Sequence, residues 1–256
     1  MIRWLAAVLA WLCLAASTAP AAAQHYDRSL FCRADADEVL ILIDITTALD
    51  QRARDLLQDG VRQIVEHLEP GEALKVLTIA DEVTHSELLF NECVPYCPQD
   101  LASVVFGNCT EGLLRMENRQ LHANLADVLR QRLQRTTDLP YSDIIRALRA
   151  ATQSRDGDRR LELYAFSDLI ENSALIPASE FWATPTPTLL SKVEGYDLLP
   201  DLSNGIVRVF GIGRRGAGDR AALSADRMLV LQRFWKAYFT AARAESATLS
   251  EFLVMR

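Results

Sequence analysis

EVLILIDITTALD, residues 38–50, runs through five apolar residues to Asp44, places two threonines after it, and then enters a helical pattern. A strand without polar alternation has both faces covered, which is the habit of a parallel sheet flanked by helices. The acid and hydroxyls at its carboxyl end allow two readings: they hold a ligand, or they cap the next helix. Thr47 and Asp50 fit a capping box of the form Thr-x-x-Asp, so Thr47 is assigned to the cap. Thr46, two residues after Asp44, is left for a ligand.

Working outward from this strand, residues 49–68 show helical spacing at Leu49, Ala53, Leu56, Leu57, Val61, Ile64, Val65 and Leu68, and Pro70-Gly71 stops them. Strands are expected at 73–79 and about 84–90, then a cysteine-bearing insertion at about 91–110. Helices follow at 111–135 and 142–153, with a turn at 155–158 between the second and a fourth strand, 160–167, that ends at Asp168. The proline-bearing segment 174–204 reads as loop with one short helix near 187–194. A fifth strand is expected at 206–211 and a long helix at 222–245, with the Trp235–Phe239 aromatics on its buried face. This alternation predicts an α/β fold: one domain, a doubly wound, mostly parallel sheet with helices on both faces. Such sheets bind ligands beyond the carboxyl ends of their strands, where strand order reverses. If the strands ending at Asp44 and Asp168 are neighbours, both acids face one crevice.

Residues 1–23 carry one arginine, an apolar core and a run of small residues ending Ala21-Ala22-Ala23, which predicts a secretory signal peptide cut before Gln24. Residues 24–36 then form an N-terminal arm, and the domain occupies 37–256. No later stretch is long enough for a membrane anchor. The formal charge of −7, one unit more negative once Arg3 leaves with the leader, excludes a basic nucleic-acid binder. Export, to a periplasm or the medium, makes disulfides the expected state of Cys32, Cys93, Cys97 and Cys109. Three pairings are open, with Cys32 expected to staple the arm to the cysteine loop. A zinc site from Cys93, Cys97, Cys109 and His122 is the weaker alternative. The Asn108-Cys109-Thr110 sequon matters only in a host that glycosylates exported proteins.

The order of these features resembles the von Willebrand factor A (VWA) domain family. Asp44-x-Thr46 after the first strand, Ser142 opening "SDIIRAL", and Asp168 in "YAFSDLIEN" match that family's metal-ion-dependent adhesion site, and "IVRVFGIG" reads like its fifth strand. The resemblance covers roughly residues 37–215. It implies a protein-binding module holding Mg²⁺ or Mn²⁺ through Asp44, Thr46, Ser142 and Asp168, with a carboxylate of another protein completing the site. The departure is Ala48, which stands where the family has its second serine; a methyl cannot ligate. Mg²⁺ accepts water in place of a protein ligand, so the loss weakens the site and does not by itself abolish it.

Plainer readings stand beside these. Ser142 also reads as an N-cap with Asp143 behind it, and Asp168 as the cap of a short helix at "LIEN". His25, His67, His85 and His122 are scattered and read as surface residues. Gly211 to Gly216 matches Gly-x-Gly-x-x-Gly but follows the fifth strand with too little chain for a dinucleotide unit. Two further functions compete: a phosphohydrolase of the haloacid-dehalogenase type with Asp44 as nucleophile, and a structural VWA-like scaffold that has lost its metal. The first lacks the second acid, since Thr46 occupies its place.

Overall fold

The computed structural model describes residues 31–97, 109–153, 155, 159–213 and 223–251. The expected signal peptide, most of the arm, Asn108 of the sequon and the second half of the glycine motif lie outside those residues.

Six strands, β1 (Glu38–Asp44), β2 (Ala73–Ile79), β3 (Leu88–Cys93), β4 (Leu161–Phe166), β5 (Gly205–Phe210) and β6 (Ser246–Ser250), form one sheet in the order β3-β2-β1-β4-β5-β6. All neighbours are parallel except β3, which runs antiparallel to β2. The strand read first from sequence is therefore central. Val39, Ile41 and Ile43 pack with helices α1 (Gln51–Glu66) and α2 (Glu111–Leu133). Leu40 and Leu42 face the opposite layer, built from α3 (Ile144–Thr152), α4 (Ala178–Ala183), α5 (Thr186–Gly195) and α6 (Ala225–Ala241). Each such side chain is worth about 1.5–3 kcal/mol when fully buried. Phe234, Trp235, Tyr238 and Phe239 of α6 are buried as expected.

Several local expectations need correction. The cap of α1 is Asp50, whose carboxylate accepts the Ala53 N–H at 2.7 Å; Thr47 is left outside the helix. β3 starts four residues later than expected, because 83–85 turn as a short 3₁₀ segment and Thr78 fixes Glu87 through backbone and hydroxyl bonds. α4 and β6 were not anticipated. Proline precedes α4 and sets its entry, while the exposed edge strand SATLS lacks the apolar signature of its partners. The last helix ends at Ala241, where Arg243 takes a positive φ of 65° and the chain turns back into β6.

Both disulfides form, Cys32–Cys93 and Cys97–Cys109. Cys32 does staple the arm to the end of β3, and the zinc alternative is overturned, because no free thiol remains among its ligands. Among the described residues no helix is long and apolar enough to cross a membrane.

Candidate metal centre

Parallel pairing of β1 with β4 sets Ile43 opposite Phe166, which brings the next residues, Asp44 and Ser167, side by side at the carboxyl edge of the sheet. The Asp44 carboxylate is wrapped by donors. Its Oδ1 accepts the Thr46 N–H at 2.9 Å and the Thr46 hydroxyl at 2.6 Å, and its Oδ2 accepts the Ser167 hydroxyl at 2.6 Å. Ser167 in turn accepts the Leu169 N–H at 2.9 Å, so one hydroxyl ties β1 to the loop after β4.

That loop is tightly built. Asp168 Oδ1 accepts the Ile170 N–H at 2.8 Å, the Asp168 carbonyl accepts the Gly213 N–H, and the buried Trp235 indole donates to the Leu169 carbonyl at 2.8 Å. Leu169 takes a φ of 57°, and no helix forms at "LIEN", so Asp168 closes a turn where a helix cap was one reading. Asp44 and Asp168 line one crevice of about 70 Å³, shared with Thr47, Asp50, Phe166, Ser167 and Gly211.

Ser142 reaches the same edge from a third segment. The Leu139 N–H bonds the Thr46 carbonyl, the Asp143 N–H bonds the Ala80 carbonyl just past β2, and Ser142 exchanges two backbone hydrogen bonds with Asn172. Residues 139–143 are thus strung across the ends of β2, β1 and β4. Ser142 is buried, its hydroxyl has no hydrogen-bond partner, and it does not line the crevice. It is not the cap of α3 either: Asp143 occupies that position without a side-chain capping bond. The capping acceptor comes from elsewhere. Oε2 of the fully buried Glu171 takes the Ile144 and Ile145 N–H groups at 2.9 and 3.1 Å.

Of the acids at this edge, Asp44, Asp143 and Glu171 are shifted upward from the ordinary carboxyl range. Burial raises Asp44, opposed by the bonds from Ser167 and Thr46; among the described residues no basic side chain bears on it. Burial also raises Asp143, opposed by Arg146, whose guanidinium lies 3.4 Å away. Burial pushes Glu171 up to about 8, with Asp143 adding repulsion and Ser173 and the two amides opposing. Desolvation disfavours the charged carboxylate in every case.

Hydroxyl and carboxylate oxygens are the chemistry a hard cation takes, though neither Thr46 nor Ser142 lines the crevice that Asp44 and Asp168 share. Thr46 spends its proton on Asp44 and keeps its oxygen lone pairs, and the Ser142 oxygen is unpartnered. Among the described residues no group of three or more His, Cys, Asp or Glu could hold a metal, so any ligand set here mixes hydroxyls with acids. At the Ala48 position the backbone N–H is taken by Asp138 Oδ1 at 3.0 Å, and Leu49 N–H by the Thr136 hydroxyl. The sheet places its switch point between β1 and β4, with an antiparallel β3 at one edge and the Asp44, Ser142 and Asp168 segments meeting above it.

The fold is a doubly wound α/β sheet, parallel except for β3 at one edge. No protein-family model and no curated protein matches the sequence. Solved structures do. A von Willebrand factor type A protein from Catenulispora acidiphila aligns at 11% identity and a TM-score of 0.45, over 82% of this chain and 43% of that one. Proximal thread matrix protein 1 of the mussel byssus aligns at 11% and 0.43, over 84% and 44%. The PilB minor pilin of Streptococcus sanguinis aligns at 9% and 0.40, over 82% and 62%. The chain spans less than half the length of the first two, and no residue role is transferred from any of them. At this sheet edge, sequence reasoning missed Ser167 and Glu171. Ser167 was readable in principle, since the residue before Asp168 must sit beside Asp44 in a parallel pair. Glu171 acts on a helix 27 residues earlier, and no local pattern signals that.

Proposed function

We propose that the chain is an exported VWA-like module that binds another protein, with Mg²⁺ or Mn²⁺ held by Asp44, Thr46, Ser142 and Asp168. The observation that carries this reading is the state of Asp44: a desolvated carboxylate with three hydrogen-bond donors and, among the described residues, no basic side chain acting on it. Desolvated carboxylates are normally neutralised by a proton or matched to a positive charge. A bound cation would supply that charge and an open position for a partner's carboxylate. The chain's own residues do the rest. Thr46 and Ser142 offer neutral oxygens, Ser167 fixes the orientation of Asp44, and Asp168 adds the second acid from the rim of the same crevice. Two disulfides and the predicted leader support export.

One observation favours a second reading, a structural scaffold without metal. Ala48 is locked by Asp138 in a purely backbone role where a ligating hydroxyl would stand. The phosphohydrolase reading gains no such support, because the residue two after Asp44 is a hydroxyl already bonded to it.

Titration calorimetry of Mg²⁺ and Mn²⁺ into the disulfide-bonded protein, beside Asp44→Asn and Asp168→Ala, tests the choice. Saturable binding that both substitutions weaken supports the cation module. An absence of binding at millimolar metal in a folded sample leaves the scaffold.

A further inference from the structure

The hydrogen bonds around Glu171 connect two arms of the proposed cation site. The loop after β4 carries Asp168 and, three residues on, Glu171; the turn before α3 carries Ser142. Between them run four bonds: Ile144 and Ile145 N–H to Glu171 Oε2, Ser142 N–H to the Asn172 carbonyl at 2.9 Å, and Asn172 N–H to the Ser142 carbonyl at 3.0 Å. The first N–H groups of a helix have no partner inside it, and a side chain from elsewhere that accepts them sets where the helix starts. The usual device is a local cap, and here Asp143 makes no side-chain capping bond. The start of α3, and with it the Ser142 hydroxyl, is consequently held from the Asp168 loop. The side chain is fully buried, so water cannot replace it.

We infer that Glu171 is a positioning residue that clamps the Ser142 turn to the Asp168 loop, so that two arms of the cation site are presented as one unit. The inference rests on the cation reading for its functional meaning and on geometry alone for the clamp. Only one oxygen does the clamping. Its mate, Oε1, has no hydrogen-bond partner, and Ser173 lies near the carboxyl. A neutral isostere that keeps one carbonyl oxygen therefore preserves the clamp, whereas a shorter acid withdraws from both amides.

The test compares Glu171→Gln with Glu171→Asp and Glu171→Ala in the full disulfide-bonded chain, with two readouts: hydrogen-exchange protection of the Ile144 and Ile145 amides, and Mn²⁺ affinity by calorimetry. The clamp requires that glutamine retain protection and affinity within about twofold, while aspartate lowers protection and weakens Mn²⁺ by about tenfold or more. Aspartate serves where alanine does not fold. Unchanged amide protection in Glu171→Asp overturns the clamp. Mn²⁺ binding that is absent from the unchanged chain overturns the cation reading instead, and the amides then decide the clamp by themselves. Mn²⁺ binding present in all variants, with protection lost, overturns the link between the two.

Discussion

Replacing Glu171 by glutamine should flatten the pH dependence of stability. In the folded chain burial holds this carboxyl's pKa at about 8, against 4.5 for the free side chain. The groups facing it are Asp143 from the start of α3, Ser173 from its own loop, and Tyr238 from α6. Because the folded value lies above the unfolded one, the folded state binds the extra proton between pH 4.5 and 8. Stability contributed by the neutral acid is complete below 4.5 and falls as pH rises, levelling off near 8. The window is roughly three and a half pH units wide, and each is worth about 1.4 kcal/mol, so the loss is about 5 kcal/mol for a group this deeply buried. Glutamine carries no proton to lose and still offers one oxygen to Ile144 and Ile145. Urea unfolding at pH 5, 6, 7 and 8, with disulfides intact, compares the two chains. The Glu171→Gln minus wild-type difference should grow by several kcal/mol from pH 5 to pH 8. Parallel curves would refute the argument, since they would mean that Glu171 titrates alike in both states.

Other perturbations read other parts of the molecule. If the proposed cation site binds, Ala48→Ser, which adds a hydroxyl two residues after Thr46, should tighten Mn²⁺ by about tenfold in calorimetry without changing the melting temperature by more than a degree or two. Replacing Cys32 and Cys93 by serine releases a closure of 61 residues, which should cost about 4 kcal/mol in denaturant unfolding; the 12-residue Cys97–Cys109 closure should cost about 3. Asp50→Ala removes the bond to Ala53 N–H and should cost about 1 kcal/mol, whereas Thr47→Ala should cost less, because Thr47 is not the cap.

What the sequence displayed depended on how locally each feature is encoded. β1 was legible because five consecutive apolar residues have few other uses, and the nearness of Asp44 and Asp168 followed from strand order at a switch point. The cap of α1 was misplaced because Thr47 and Asp50 are both good capping residues three positions apart, and only backbone geometry chooses between them. β6 was invisible: an edge strand with one half-covered side needs no apolar run, and SATLS has none. Glu171 was hidden for a different reason. Its partners are backbone amides, which leave no trace in residue identity, and they belong to another segment of the chain.

Three desolvated acids at this sheet edge, Glu171, Asp143 and Asp44, meet one physical problem in three ways. Glu171 is relieved of its charge by holding a proton, at the amino end of α3. Asp143, buried beside it, has the Arg146 guanidinium at 3.4 Å. Asp44 has neither solution in full: its value rises with burial, three donors oppose that rise, and among the described residues no cationic side chain acts on it. Hydrogen bonds to a carboxylate favour ionisation without neutralising it. At Asp44 burial outweighs the three donors, and the acid opens on the crevice, where the proposed cation would supply the charge that Arg146 supplies to Asp143.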